Sequence, residues 1–258
     1  MTRPLRVLLR TSPAQSDPWR EALQAALPEA TITAWPDVIA DPDYVAVWKP
    51  EAELFASIAA PKAIFNLGAG VDALLRLPSL PRGVPIIRLE DAGMAQQMRE
   101  YVTLAVLAAQ RQRDAYEAQQ RGRIWQALPP IPASEFTVGM LGLGVLGRAC
   151  LDALAPFGFP RLGWSRELRT VDGVETYAGA EGLRAMLGRS RALVCLLPST
   201  PDTVGLLDAT HLAMLPRGAH VINVARGELV VDEHLLALLD SGHLGGATLD
   251  VFREEPLP

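Results

Sequence analysis

Short apolar runs recur along the chain, separated by stretches whose apolar positions fall three or four residues apart. In the first third, Arg6–Arg10, Thr31–Ala34, Val45–Trp48, Ala63–Leu67 and Ile86–Leu89 read as strands, and Pro18–Ala26, Ala52–Ala59 and Val71–Leu77 as helices. Strands of this kind alternating with helices predict a parallel sheet covered on both faces. A longer pattern runs from Ala95 to about Gln120, apolar at Tyr101, Leu104, Ala105 and Ala108 and then densely charged. It predicts a crossing helix between two domains, closed by Gly122 and the proline-rich link Leu128–Pro132. From Phe136 a second alternating unit begins, with strands expected at Thr137–Leu141, Leu162–Trp164, Val174–Tyr177, Ala192–Leu197, His220–Val224 and Ala247–Val251. Asp232 stands where it would cap a helix Glu233–Asp240, and Gly242 where it would end one. The fold class predicted is α/β in two domains, 1–97 and 98–258.

Composition agrees with this and narrows the partners. The chain has 258 residues, 49% hydrophobic and 21% charged, enough for two moderate cores. A net charge of −5 without a long basic run argues against nucleic acid as a partner. An acidic protein that binds anions has to gather its positive charge locally, so single arginines matter. The two cysteines, Cys150 and Cys195, sit in apolar runs and read as small core residues, with no metal site implied. No apolar run approaches bilayer length, and Leu5–Leu9 is too short for a signal segment. The expectation is a soluble cytoplasmic protein with no membrane partner.

The most informative segment is Phe136–Arg169. Gly142, Gly144 and Gly147 follow a β-branched apolar run and open a helix, the context that makes three glycines a dinucleotide-binding fingerprint. The first permits the tight turn, the second lets the pyrophosphate approach and the third lets helix and strand pack closely. Val145 and Leu146 open the helix, whose free N–H groups would hold the phosphates. At the tip of the second strand NAD sites place an acid; this chain has Ser165 and Arg166, with Arg169 one turn on. A guanidinium matches a 2′-phosphate bidentately, so the cofactor predicted is NADP(H). A solvated loop arginine is the competing reading of Arg166.

Several blocks recur together. They are Val47-Trp48-Lys49-Pro50, Asn66-Leu67-Gly68-Ala69-Gly70-Val71-Asp72, Arg88-Leu89-Glu90-Asp91-Ala92-Gly93-Met94 and the glycine fingerprint itself. Trp164-Ser165-Arg166, Leu196-Leu197-Pro198-Ser199-Thr200-Pro201, Asn223-Val224-Ala225-Arg226-Gly227, Leu249-Asp250-Val251-Phe252 and Glu255-Pro256-Leu257-Pro258 complete the set. In this order and over nearly the whole chain they resemble the D-isomer-specific 2-hydroxyacid dehydrogenases, in particular their glyoxylate/hydroxypyruvate reductase A type. The resemblance implies a flavodoxin-like substrate domain and a Rossmann NADP-binding domain with the active site in the cleft between them. It implies NADPH-dependent reduction of small 2-oxo acids, glyoxylate to glycolate and hydroxypyruvate to D-glycerate, by a homodimer.

The resemblance also implies roles. Arg226 is the catalytic arginine that binds the substrate and stabilises the developing alkoxide, against a surface arginine as the plain reading. Glu255 orients a catalytic histidine, where in isolation it would be solvated charge beside Glu254. The Gly68-Ala69-Gly70 turn holds the substrate carboxylate through backbone N–H groups, against a turn required by packing alone. Trp48 closes over a small substrate, or else is a half-buried strand-end aromatic. Met94 lies near the nicotinamide, with core packing an equal alternative. Asp250 borders the carboxamide, with a structural strand-end acid an equal alternative; Leu197 and Pro198 border the adenosine, and Val224 and Ala225 the bound cofactor.

One part of the pattern is missing. The family's histidine would lie beyond Pro258, and His211, His220, His234 and His243 stand in no family position. The closing strand of the second domain and the helix returning to the first are missing too, so the natural polypeptide is expected to continue, with an intact mass above 27.8 kDa. Two rival readings stay open: a dehydrogenase of larger 2-oxo acids, and a non-catalytic dinucleotide-binding sensor. Arg121–Trp125 reaches either a partner subunit or its own chain.

Overall fold

The computed structural model describes residues 3–37 and 39–257. Two compact units, Met1–Ala92 and Gly93–Pro258, make up the chain. They part in front of a helix, whereas the sequence reading divides the chain at 97/98.

The first unit runs β1 (Arg6–Arg10), α1 (Pro13–Ala26), β2 (Thr31–Ala34), β3 (Tyr44–Val47), α2 (Ala52–Ala56), β4 (Ala63–Asn66), α3 (Asp72–Leu75) and β5 (Ile86–Arg88). All neighbours are parallel in the order β2-β1-β3-β4-β5. This is the flavodoxin-like order, which reverses between β1 and β3 and leaves a crevice at the carboxyl ends of those strands. Leu8, Val45, Val47, Leu54, Ile64 and Leu74 form one buried core, with Val7, Leu9 and Ala46 on the opposite face. The helix expected from Pro18 begins at Pro13, behind Ser12, and carries Pro18 inside it. Proline is well placed in a first helical turn, which is why a start at Pro18 looked natural. The actual start uses Pro13 in that role.

The second unit opens with α4 (Met94–Gln110) and α5 (Arg113–Arg121), followed by β6 (Val138–Leu141), α6 (Val145–Leu154), β7 (Arg161–Ser165), β8 (Glu175–Ala178) and α7 (Gly179–Leu187). It continues with β9 (Ala192–Cys195), α8 (Ala209–Ala213), β10 (Ala219–Asn223), α9 (Asp232–Asp240) and β11 (Leu244–Leu249). Its sheet is parallel in the order β11-β10-β9-β6-β7-β8, a doubly wound Rossmann arrangement that reverses between β6 and β9. Every residue of β6, β9 and β10 is buried, as strands covered on both faces require.

Two local expectations fail for physical reasons. The single crossing helix is two helices, broken at Gln112, whose φ is +56. Val102, Ala105 and Val106 anchor α4, but α5 buries no residue, so no core contact carries the helix through. Asp232 is the first residue of α9 and Val231 its cap. The carboxylate therefore acts on the positive end of the helix and pairs with Arg253 at 3.6 Å. Gly242, with φ +65, does end that helix, and Gly122 ends α5.

Candidate active site

The three fingerprint glycines differ in what a side chain would meet. Gly142 has φ +106, and a Cβ there would lie 2.7 Å from the Leu196 carbonyl oxygen. A Cβ on Gly147 would lie 1.9 Å from the Gly142 carbonyl oxygen, so α6 crosses the turn at backbone contact. Around Gly144 nothing comes within 4 Å, and Gly144 and Val145 are exposed while Leu146 is half-buried. An open amide at the start of a helix is what an approaching pyrophosphate needs. The Leu143 carbonyl inside the turn accepts from Arg148 Nε at 3.0 Å and from Arg169 Nη1 at 3.2 Å. Two guanidinium groups thus stand beside the turn, one of them in the helix and missed by the sequence reading. Arg166 is exposed and is not bonded to the turn, and the buried Ser165 hydroxyl donates to the Glu167 carbonyl at 2.6 Å. Leu197, Val224 and Ala225 bury their side chains in the core, leaving only backbone to face a ligand, while Pro198 is exposed.

At the end of β10 the buried Asn223 shapes the loop that carries Arg226. Its Nδ2 donates to the Arg226 carbonyl at 2.9 Å, its Oδ1 accepts from the Ala225 N–H at 3.2 Å, and its own carbonyl accepts from the Asp250 N–H at 3.0 Å. A Cβ on Gly227 would lie 2.0 Å from the Phe252 carbonyl carbon. The 250–255 segment therefore lies directly on the arginine loop. Arg226 is half-buried and donates from Nη1 to the Ala225 carbonyl at 2.7 Å. Exposed Glu255 accepts from the Phe252 N–H at 3.1 Å, and Asp250 is exposed. Asn223 and Gly227 were not singled out from sequence. The available signal was an amide side chain at the end of a buried strand.

In the first unit Trp48 leaves β3, its N–H donating to the Arg10 carbonyl at 2.8 Å. A Cβ on Gly68 would sit 2.1 Å from Trp48 Cζ3, so the indole rests on that glycine. Thr11, Ser12, Gln15, Trp19, Trp48 and Leu67 line a cavity of about 200 Å³ where the strand order reverses. Met94, half-buried, belongs to the second unit and starts α4 behind left-handed Gly93.

Residues 103–258 match the NAD-binding domain of the D-isomer specific 2-hydroxyacid dehydrogenases. Glyoxylate/hydroxypyruvate reductase A of Yersinia enterocolitica is 46% identical over 246 residues, 93% of this chain and 79% of that one. The chain belongs to the D-isomer specific 2-hydroxyacid dehydrogenase family. Solved structures agree. A D-isomer specific 2-hydroxyacid dehydrogenase of Xanthobacter autotrophicus Py2, in complex with NADPH and MES, superimposes with a TM-score of 0.92 at 43% identity, covering 99% of this chain and 83% of that one. The NADPH-dependent glyoxylate/hydroxypyruvate reductase of Sinorhizobium meliloti, in complex with NADP and sulfate, gives 0.90 at 40% identity, covering 100% and 83%.

Each histidine of this 2-hydroxyacid dehydrogenase has a structural task. His211 bonds Asp208 at the start of α8, His234 accepts from the Ala209 N–H, and His243 bonds the Leu215 carbonyl. His220 is buried in β10, with Nε2 2.9 Å from Thr248 Oγ1 and Nδ1 4.0 Å from Asp114. Burial holds its pKa below the ordinary value, outweighing the pull of Asp114 in the other direction. A lowered value means the folded state binds fewer protons, so stability present above about pH 6.5 is lost as pH falls further. We expect Tm to drop between pH 7.5 and 5.5, with His220→Gln flattening that slope; an unchanged slope would count against the assignment. Burial also pushes both cysteine thiols up to about 12, which leaves them inert. Among the described residues no helix is long and apolar enough to cross a membrane, and no group of three or more His, Cys, Asp or Glu could hold a metal ion.

Proposed function

We propose that this dehydrogenase reduces small 2-oxo acids with NADPH, glyoxylate to glycolate and hydroxypyruvate to D-glycerate. The observation that carries the reading is an open glycine turn with Arg169 held beside it at 3.2 Å. The β7–β8 loop adds Arg166 to Arg169 against a single carboxylate before Asp172, Glu167, a balance suited to a 2′-phosphate. The Yersinia relative's name, and the NADPH and NADP in the two solved relatives, support the same choice.

The residues fit the cofactor. The amides of Gly144, Val145 and Leu146, with Gly142 and Gly147 giving the turn its shape, would hold the pyrophosphate, and Ser165, Arg166 and Arg169 the phosphorylated ribose. Backbone at Leu197 and Pro198 would border the adenosine, and Met94, Val224, Ala225 and Asp250 the nicotinamide. When bound, NADPH supplies a hydride to the substrate's C2. The first domain, residues 1–97, contributes the Gly68–Gly70 turn for the carboxylate and Trp48 as the wall of a pocket sized for two or three carbons. The dinucleotide domain, residues 98–258, contributes Arg226, whose fixed charge stabilises the negative oxygen as it develops. Glu255, held by the Phe252 N–H, would orient the group that protonates the oxygen. Exposed Leu104, Ile124 and Trp125 offer apolar surface for a second copy of the chain, in keeping with a cytoplasmic homodimer.

NADPH oxidation measured with glyoxylate, hydroxypyruvate, pyruvate and phenylpyruvate tests the reading, with the first two expected to be fastest. Charge-assisted bonds of this type contribute about 1.5–3 kcal/mol. Replacing Arg166 and Arg169 together with alanine should raise KM for NADPH by about 10–100-fold and leave NADH nearly unchanged. Equal use of NADH and NADPH by the wild type would refute the cofactor assignment.

A further inference from the structure

The Gly68–Val71 turn is held by a side chain that the dehydrogenase reading does not use. Asn66 ends β4 and is only 3% exposed. Its Nδ2 donates to two carbonyl oxygens at once, that of Gly68 at 2.7 Å and that of Gly70 at 3.0 Å. Both partners are acceptors, so the amide orientation follows from chemistry: only the nitrogen can face them. The carbonyl between them, on Ala69, accepts from Arg88 Nη1 at 3.4 Å. Three successive carbonyls of the turn are thus tied to side-chain donors.

In a planar trans peptide the C=O of one residue and the N–H of the next point in opposite directions. Tying the Gly68 and Gly70 oxygens to Asn66 therefore turns the N–H groups of Ala69 and Val71 away from it. Tying Ala69 to Arg88 turns the N–H of Gly70 away from that arginine. None of these three N–H groups donates to another described residue. Successive N–H groups of a turn that are not used within the protein are the material of a concave anion site.

We propose that Asn66 is the positioning residue of the substrate-carboxylate site: by holding the Gly68 and Gly70 carbonyls it presents the Ala69, Gly70 and Val71 amides to the acid. Substrate contact stays with the backbone. The proposal rests on the reading that this turn binds a 2-oxo acid, and it adds what fixes the turn.

Steady-state kinetics with glyoxylate and NADPH, with oxamate as a competing acid, test it. In Asn66→Asp a carboxylate faces two carbonyls with no proton to give, and it adds negative charge beside an anion site. KM for glyoxylate and Ki for oxamate should each rise at least tenfold, while KM for NADPH stays within twofold and kcat falls less than KM rises. Asn66→Ser, which keeps one shorter donor, should be intermediate, and it decides the matter if the aspartate variant does not fold. Folded variants with wild-type KM for glyoxylate would overturn the proposal alone. So would a rise in both KM values together with a loss of Tm, the mark of a merely structural residue. A wild type that binds NADPH but turns over no 2-oxo acid would overturn the functional reading, and this proposal with it.

Discussion

Arg226→Ala should cost about 10²–10³ or more in kcat/KM for glyoxylate while leaving NADPH affinity within a fewfold of wild type. The magnitude is that of removing one preorganised donor from a developing oxyanion, and a full charge leaves with it. The expectation of intact cofactor binding is specific to this loop. Asn223 holds the loop's backbone through the Ala225 N–H and the Arg226 carbonyl, neither of which involves the guanidinium. Truncating the side chain removes its bond to the Ala225 carbonyl but leaves both Asn223 tethers of the loop in place. Arg226→Lys should recover only part of the loss, because an ammonium keeps the charge but not the planar fork. Turnover retained in the alanine variant would remove Arg226 from the chemistry.

Gly147→Ala and Gly144→Ala should fail in opposite ways. A methyl on Gly147 meets the Gly142 carbonyl oxygen at 1.9 Å, a backbone atom that cannot rotate away. Overpacking of this severity costs about 3 kcal/mol or more. For a unit of this size that is a fall in Tm of roughly 6–12 °C, with dinucleotide binding lost because the turn itself shifts. Gly144 has φ −78, which alanine adopts freely, and open space around it. Gly144→Ala should melt like wild type yet bind NADPH at least about tenfold more weakly, because the methyl occupies the approach of the pyrophosphate. Calorimetry and NADPH fluorescence titration on both variants separate the two roles. Weakened binding with unchanged Tm in both would mean that Gly147 is not a packing glycine.

Hydrophobic patterning alone located the strands of both sheets to within a few residues, because buried parallel strands have to be apolar on both faces and their β-branched runs stand out. The glycine turn between β6 and α6 was legible for a related reason: it sits at a strand end in a spacing that backbone geometry dictates, whereas Arg226 was singled out by resemblance to the family. The break at Gln112 was not legible. No glycine or proline marks it, and it follows from α5 having no core to pack on. Ser165 is buried with its hydroxyl on the Glu167 carbonyl, and Arg148, which the sequence reading did not single out, joins Arg169 on the Leu143 carbonyl.

Asn66, Asn223 and Gly227 belong to the same class. What they do is set by partners two to twenty-five residues away: the Gly68 and Gly70 carbonyls, the Ala225–Arg226 loop and the Phe252 backbone. From its amino acids alone this protein is an α/β chain with a dinucleotide fingerprint, since periodicity and spacing are local properties written along the chain; that it is a dehydrogenase was carried by its resemblance to a family. Which carbonyls are tethered, and so which amides are left to bind an anion, was decided only by folding. Hydrogen-bond direction depends on where a strand end meets the next loop in space, and no local pattern encodes that meeting.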